Sequence, residues 1–238
     1  MEARTEYAFN HTLEAAASNL PGLRLVTVSK VQSDEPQNDT ELETYGWGVS
    51  SAATLQHKTK QGKGDLSPFG VPFSATCFYF GRALHLKDPS VPVGLIASSW
   101  GGSPIEPWMT SSAMGECGGG GNGGMYNAMI APLLRLRLTG MLWDQGEANT
   151  KDPPGYSCLF RAAIRDWRVQ FQLPEMAFLF VQIGPSSSNA LTDQYGYRND
   201  SYGVPLLDIR HAQLSALSLP RVAMASVRGK RLFLSRSS

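Results

Sequence analysis

The chain has 238 residues, 42% of them hydrophobic and 17% charged, with 21 Lys+Arg against 20 Asp+Glu. At roughly 150 residues per domain this is one sizeable domain or a small pair, long enough to bury a core, and the composition excludes a disordered chain or a coiled coil. A net charge of +1 lacks the clustered positive charge that nucleic acid or a polybasic membrane surface requires, and no apolar run reaches the roughly 18 residues of a membrane span.

In chain order, Met1 to Tyr7 has no basic region followed by an apolar stretch, so it does not read as a signal peptide. Leu23 to Val28 reads as a strand. Lys30 to Gly70 is polar, with Pro, Gly and Asn scattered through it, and reads as a loop. Ser74 to Lys87 has a helical pattern. Val93 to Ala97 is a nearly unbroken apolar run, as expected of a strand buried on both faces. Residues 115–124 contain seven glycines and read as a flexible loop; no Gly-Lys-Ser/Thr follows to make a phosphate cradle. Tyr126 to Arg135 is a helix limited by Pro132, and Leu138 to Trp143 is a strand. Tyr156, Leu159, Phe160, Ala163, Ile164, Trp167 and Phe171 fall on one helical face. Ala177 to Ile183 is a strand, Leu206 to Leu217 a helix and Val222 to Ala225 a weaker strand. Strands alternating with helices imply parallel pairing, hence an α/β doubly wound sheet.

In such sheets ligands bind beyond the carboxyl ends of the strands. After the Val93 strand comes Ser98-Ser99-Trp100-Gly101-Gly102-Ser103-Pro104-Ile105-Glu106-Pro107-Trp108, and after the Leu138 strand Asp144-Gln145-Gly146-Glu147-Ala148-Asn149. A Gly-Gly pair lets backbone N–H groups approach a ligand, and a nearby Gln or Asn adds an amide donor. Together they are suited to an oxyanion hole; a tight turn beside a polar strand end accounts for them equally well. A nucleophile is harder to find. There is no G-x-S-x-G elbow, and nothing marks Ser98 or Ser99 as activated. Asp208-Ile209-Arg210-His211 has an acid–base spacing, but His211 falls early in a helix pattern and reads as a surface or capping histidine.

Cys77, Cys117 and Cys158 form no C-x-x-C; buried thiols and one disulfide are both open, and at least one thiol stays unpaired within the chain. The histidines His11, His57, His85 and His211 are dispersed, so no metal site is expected. Three N-x-[ST] sequons, at Asn10, Asn38 and Asn199, are glycosylation candidates and a mild pointer to a secretory origin.

Taken together, Pro92 to Glu106, Tyr126 to Leu133 and Trp143 to Asn149, with the helix around Ile164-Arg165-Asp166-Trp167-Arg168, resemble the sialate O-acetylesterases, within the SGNH (GDSL-type) hydrolases. The resemblance runs from Met1 to about Ala225, and the ordered pair W-G-G-x-P-I-E and Q-G-E-[SA]-N is highly specific. It implies a flavodoxin-like α/β/α sandwich that removes O-acetyl groups from sialic acids without a cofactor, and a lysosomal or secreted parent. Residue by residue, it implies that Gly101 or Gly102 supplies a backbone oxyanion donor with Gln145 at the other position. Glu147, Asn149 and Glu106 would support that site, and Asn127 would be structural. The cysteines also match family positions.

Two family words are missing. The G-Q-S-N-M-E word that carries the nucleophilic serine directly after the first strand is represented only by Met1-Glu2, and the histidine–proline word that carries the base does not occur. No nucleophile or base is therefore assigned. Residues 1–225 are expected to form a partial esterase domain without its central first strand. Two apolar strand edges would then be left open, or the neighbouring strands would pair. Residues 226–238, with four basic residues and no acid, form a divergent tail expected to be disordered. Translated as written, without a leader, the chain would be cytoplasmic. The expected partner is an O-acetylated sialic acid or related acetylated sugar, with neither nucleic acid nor membrane. The other functions weighed are a non-catalytic sugar-binding or regulatory isoform and, more remotely, a glycoside hydrolase using Glu106 and Glu147.

Overall fold

The structure is a computed structural model that describes residues 17–40, 46–56, 73–184, 203–228 and 231–236, with side-chain surroundings described only for residues 207–226 of the last two stretches. The chain divides into two units, Met1–Gly101 with Asn127–Leu133, and Gly102–Tyr126 with Leu134–Ser238.

The first unit contains a sheet of order β2-β1-β3, from β1 (Leu20–Thr27), β2 (Gly48–Ser50) and β3 (Val93–Ala97). β1 pairs parallel with β3, from Leu23↔Val93 to Thr27↔Ala97, and antiparallel with β2. The short helix α1 (Ala52–Gln56) follows β2. Helix α2 (Ala75–Lys87) starts where the Ser74 side chain accepts a hydrogen bond from Cys77 N, which satisfies one of the orphan amides of the first turn. Leu23, Leu25, Cys77, Phe78, Leu95 and Ala97 form the core between helix and sheet. Burial there pushes the free Cys77 thiol up to about 12, so it stays protonated and unreactive at neutral pH.

In the second unit the order is β4-β5-β6-β7: β4 (Gly140–Trp143), β5 (Ala177–Gln182), β6 (Val222–Arg228) and β7 (Arg231–Arg236). β4–β5 and β5–β6 are parallel, and β7 is antiparallel to β6. Its helices are α3 (Ser111–Gly115), α4 (Pro153–Gln170) and α5 (Gly203–Leu214). The Asp152 side chain accepts from Gly155 N at 3.0 Å and caps α4, with Pro153 opening the first turn, where its missing N–H costs nothing. The apolar face read from the sequence is buried. Phe160 packs on Phe178 and Phe180 with ring centroids 5.9 and 5.1 Å away, and Trp167 stacks on Phe178 and meets the edge of Trp143. From the same helix, the buried Arg168 donates to Met176 O and Pro220 O, and Asp166 accepts from Thr110 N and Oγ1. Desolvation lowers the pKa of Arg168.

Parallel pairing, expected from the alternation of elements, is present in both units. The strands lie in two separate sheets, and β3 and β4 are each paired on one side only among the described residues. Several local expectations are corrected. The polar stretch after Lys30 holds a strand and a helical turn, β2 and α1, and its residues 41–45 and 57–70 lie outside the described residues. Tyr126–Ile130 is a π-helical turn and Ala131–Leu133 a 3-10 turn, because Pro132 has no N–H to continue an α-helix. The glycine run is an ordered loop rather than a flexible one. Cys117 is bonded to Cys158 of α4 with 5.8 Å between Cα atoms, Gly119 N donates to Met114 O at 3.1 Å, and Ser111 Oγ donates to Gly121 O at 2.7 Å. The basic tail is not wholly irregular either: β7 lies within it, from Ala223↔Arg236 to Arg228↔Arg231.

Candidate active site

Both motif turns follow strand ends, and the second unit holds the segment from Gly102 onward together with Gln145–Asn149. One backbone donor fixes the hydrogen-bond directions. Ile105 N–H donates to Asn149 Oδ1 at 2.9 Å, so the other Asn149 atom is Nδ2, which donates to the Glu106 carboxylate at 3.0 and 3.2 Å. The Gln145 atom 2.7 Å from Asn149 Oδ1 must then be the donor Nε2, which also reaches Ser103 O at 3.2 Å. Ser103 Oγ in turn accepts from Trp108 Nε1 at 2.8 Å. The two turns are therefore tied by side-chain to backbone bonds that span more than 40 residues of sequence.

A second set holds the backbone of Gln145. Its carbonyl oxygen accepts from Tyr156 Oη at 3.2 Å and from Gln213 Nε2 at 3.1 Å. Gln213, fully buried on α5, also accepts from Ile183 N and donates to Val181 O, so it bridges the carboxyl ends of β4 and β5. Gly146 sits at φ +147, and a Cβ there would lie 2.6 Å from Ile183 Cδ1. Only glycine fits this turn without displacing Ile183.

Electrostatically, Asp144 at the end of β4 has its pKa raised, first by desolvation and then by the nearby Glu147 charge. Burial likewise raises the phenol pKa of Tyr156, which keeps its O–H available as a donor to Gln145 O. Gln145 Oε1 is buried and accepts no hydrogen bond from the described residues.

The structure places the sequence-selected residues as follows. Gly101 and Gly102 are exposed; Gly102 has φ +80 and nothing within 4 Å of where a Cβ would stand. Both N–H bonds of Gln145 Nε2 are engaged within the protein. Asn149 is the hub, and the Glu106 carboxylate anchors it through both oxygens. Glu147 is exposed, and its backbone carbonyl accepts from Thr150 Oγ1. Asn127 belongs to the first unit, where its Nδ2 donates to Ser33 O and Asp34 O, each at 3.0 Å. Ser98 Oγ donates to Met129 O at 3.1 Å, not to a base. Asp208 and His211 are exposed on α5. Of the sequons, Asn38 is described, whereas Asn10 and Asn199 lie outside the described residues, as do His11 and His57. Among the described residues no three His, Cys, Asp or Glu side chains are grouped to hold a metal, and no helix is long and apolar enough to cross a membrane.

Sequence reasoning missed Gln213 and the Tyr156 hydroxyl. The signal for Gln213 was present: it stands four residues after the buried Ile209 and three before the buried Ala216, a polar side chain on an otherwise apolar stripe.

Residues 50–229 match the family model described as carbohydrate esterase, sialic acid-specific acetylesterase. The human sialate O-acetylesterase is 33% identical over 180 residues, covering 68% of this chain and 32% of that protein. The mouse sialate O-acetylesterase is 27% identical over 213 residues, covering 72% and 37%. The chain thus spans about a third of the length of these relatives. Among solved structures, a carbohydrate acetylesterase from Xanthomonas citri is similar with a TM-score of 0.74 and 28% identity, covering 95% of this chain and 47% of that one. An Arabidopsis thaliana protein shares the fold at a TM-score of 0.57 and 18% identity, covering 92% and 74%. This α/β chain belongs to the sialic acid-specific acetylesterase family of carbohydrate esterases.

Proposed function

We propose that the second unit carries the charge-stabilising part of an acetyl-ester site acting on O-acetylated sialic acid. The observation that carries this reading is the tie between the turns, Gln145 Nε2 to Ser103 O and Asn149 Oδ1 with Ile105 N on the same Asn149 oxygen. Attack on an acetyl carbonyl builds negative charge on one oxygen, and fixed donors aimed at that oxygen lower the barrier because they need no reorganisation. In this reading Gly102, which lies in the same unit, gives a backbone N–H and Gln145 Nε2 gives the second donor. The oxyanion replaces Ser103 O, the longer of the two Gln145 acceptors, while the shorter bond to Asn149 keeps the amide oriented. Glu106 and Asn149 position that amide rather than touch the substrate. A glycosidase role would need Glu106 as a free acid or base, and its engagement with Asn149 disfavours that.

We further infer that these 238 residues do not turn over an ester by themselves, because the family serine and histidine words do not occur in the sequence and a triad needs nucleophile, base and hole together. The test measures two things on the purified chain: aryl acetate hydrolysis, and binding of O-acetylated against de-acetylated sialic acid. Hydrolysis at the buffer rate and at least tenfold tighter binding of the acetylated sugar, lost in Gln145→Ala, are expected. Equal binding of the two sugars overturns the substrate assignment. Turnover abolished by Gln145→Ala overturns the inactivity while keeping the hole.

A further inference from the structure

The sequon Asn38-Asp39-Thr40 plays no part in the site above. We propose that Asn38 is an N-glycosylation site, taking a single oligosaccharide on its side-chain nitrogen. Two independent observations support this. First, Asn38 is exposed on a loop pinned on both sides of it. Gln37 N donates to Asn127 O at 2.9 Å, and Asn127 Nδ2 holds Ser33 O and Asp34 O. Beyond Asn38, Thr40 Oγ1 approaches Ala128 O at 3.4 Å, and Thr40 N donates to Asp39 Oδ1. These bonds hold the loop in place while residue 38 stays exposed, so a bulky glycan displaces no packed group. Second, the other unit contains the Cys117–Cys158 disulfide, a bond that forms and persists where the folding compartment is oxidising. N-glycan transfer takes place on chains in that same class of compartment, and the acceptor pattern N-x-[ST] without proline at the middle position is satisfied.

The transfer balances with a polyprenyl-diphosphate-linked oligosaccharide as donor. The bond between sugar C1 and the phosphate oxygen breaks, a bond between C1 and Asn38 Nδ2 forms, Nδ2 loses one proton, and polyprenyl diphosphate leaves. The hydroxyl that the transferase requires two residues on is Thr40 Oγ1, whose contact to Ala128 O is long enough to be given up before folding is complete.

The experiment translates the full chain with endoplasmic-reticulum microsomes behind an appended leader, then releases glycans with an amidase in ¹⁸O water and sequences the peptide around residue 38. Conversion of Asn38 to ¹⁸O-labelled aspartate is expected in the parent chain and in Thr40→Ser. It is expected to vanish in Asn38→Gln and Thr40→Ala. Because transfer precedes folding, a variant that folds poorly still reports. An unlabelled Asn38 in a chain whose added carboxyl-terminal control sequon is labelled overturns the proposal, as does labelling that survives Thr40→Ala. The same peptide from the cells that make the protein is expected to carry the glycan, and an unmodified Asn38 there also overturns it.

Discussion

Asn149 is the residue on which the two turns depend, and removing its side chain should loosen both at once. In Asn149→Ala the amide of Ile105, a residue with no exposed surface, loses its acceptor; a buried unsatisfied donor costs about 1–3 kcal/mol. Gln145 Nε2 loses its shorter bond but keeps Ser103 O, worth about 1 kcal/mol. The Glu106 carboxylate loses Asn149 Nδ2, and because Glu106 is only partly buried, water offsets most of that, leaving about 1 kcal/mol. The expected cost is about 3–5 kcal/mol, read as a lower urea midpoint with unchanged slope. Asn149→Asp separates hydrogen bonding from shape. It places a second carboxylate beside Glu106, so the pair can ionise fully only against mutual repulsion, and the folded-state pKa of the pair rises. The sign follows from linkage. A carboxyl whose folded pKa lies above its unfolded value, about 4, penalises folding above that pH and ceases to do so as pH falls through the folded value. Asn149→Asp should therefore be strongly destabilised at neutral pH and approach the parent chain near pH 4. Urea unfolding at both values, followed by the fluorescence of Trp108 and Trp143, is the assay. A cost below 1 kcal/mol for Asn149→Ala, or a deficit in Asn149→Asp that does not change with pH, would refute the hub.

The Cys117–Cys158 bond closes a 41-residue separation, and on chain-entropy grounds its reduction should cost about 4 kcal/mol, a fall in Tm of roughly 8–16 °C measurable by calorimetry with and without reductant. Gly146→Ala combines a positive φ with a Cβ 2.6 Å from Ile183 Cδ1; a loss of about 2–4 kcal/mol is expected from strain and overpacking, and an unchanged denaturation midpoint would contradict the turn geometry. Asp144 has a raised pKa, so its ionisation opposes folding above the unfolded carboxyl pKa of about 4. Asp144→Asn should accordingly stabilise the chain at pH 7 and lose that advantage as pH falls through the folded pKa, which paired melts at pH 7 and pH 4 would show.

How much of this was legible in advance follows from the range of each interaction. Val93–Ala97 and α4 were readable because their signals are local: an apolar run too short for a helix, and seven apolar residues at helical spacing behind an aspartate and a proline. The glycine run was misread for a related reason. Composition reports the backbone entropy of seven glycines but not the disulfide and the bonds from Met114 and Ser111 that offset it. The partial order of the tail was hidden as well, because strand β7 exists by pairing with β6, and its own residues carry no strong turn or periodicity signal. At the site, Gly102, Gln145 and Asn149 stood out as unusual residues at strand ends, whereas their mutual bonds join positions more than 40 apart in sequence. Nothing local in the sequence specifies which acceptor a given amide will meet.

Gln145 shows what that non-local information adds. From the sequence it is a spare amide donor beside a glycine pair. In the structure it is held at both ends, its carbonyl by Tyr156 and Gln213 and its amide nitrogen by Asn149 and Ser103. A free glutamine would lose rotamer entropy of the order of 1.5–2 kcal/mol each time it oriented toward a developing charge; here that ordering is completed during folding. The cost appears elsewhere, in a buried Oε1 with no donor among the described residues, since an amide fixed by its nitrogen cannot also choose where its oxygen points. An amide whose nitrogen is held this firmly can either meet a developing charge or serve only to tie the two turns together. Gln145→Glu is the sharpest probe of that distinction. Near its reference pKa the new side chain can protonate and donate from one oxygen, but at neutral pH it presents two acceptors to Asn149 Oδ1 and Ser103 O. Both stability and any preference for the acetylated sugar should then fall together with rising pH. If sugar preference persists at pH 7 while stability falls, the amide nitrogen is not the group that meets the ester.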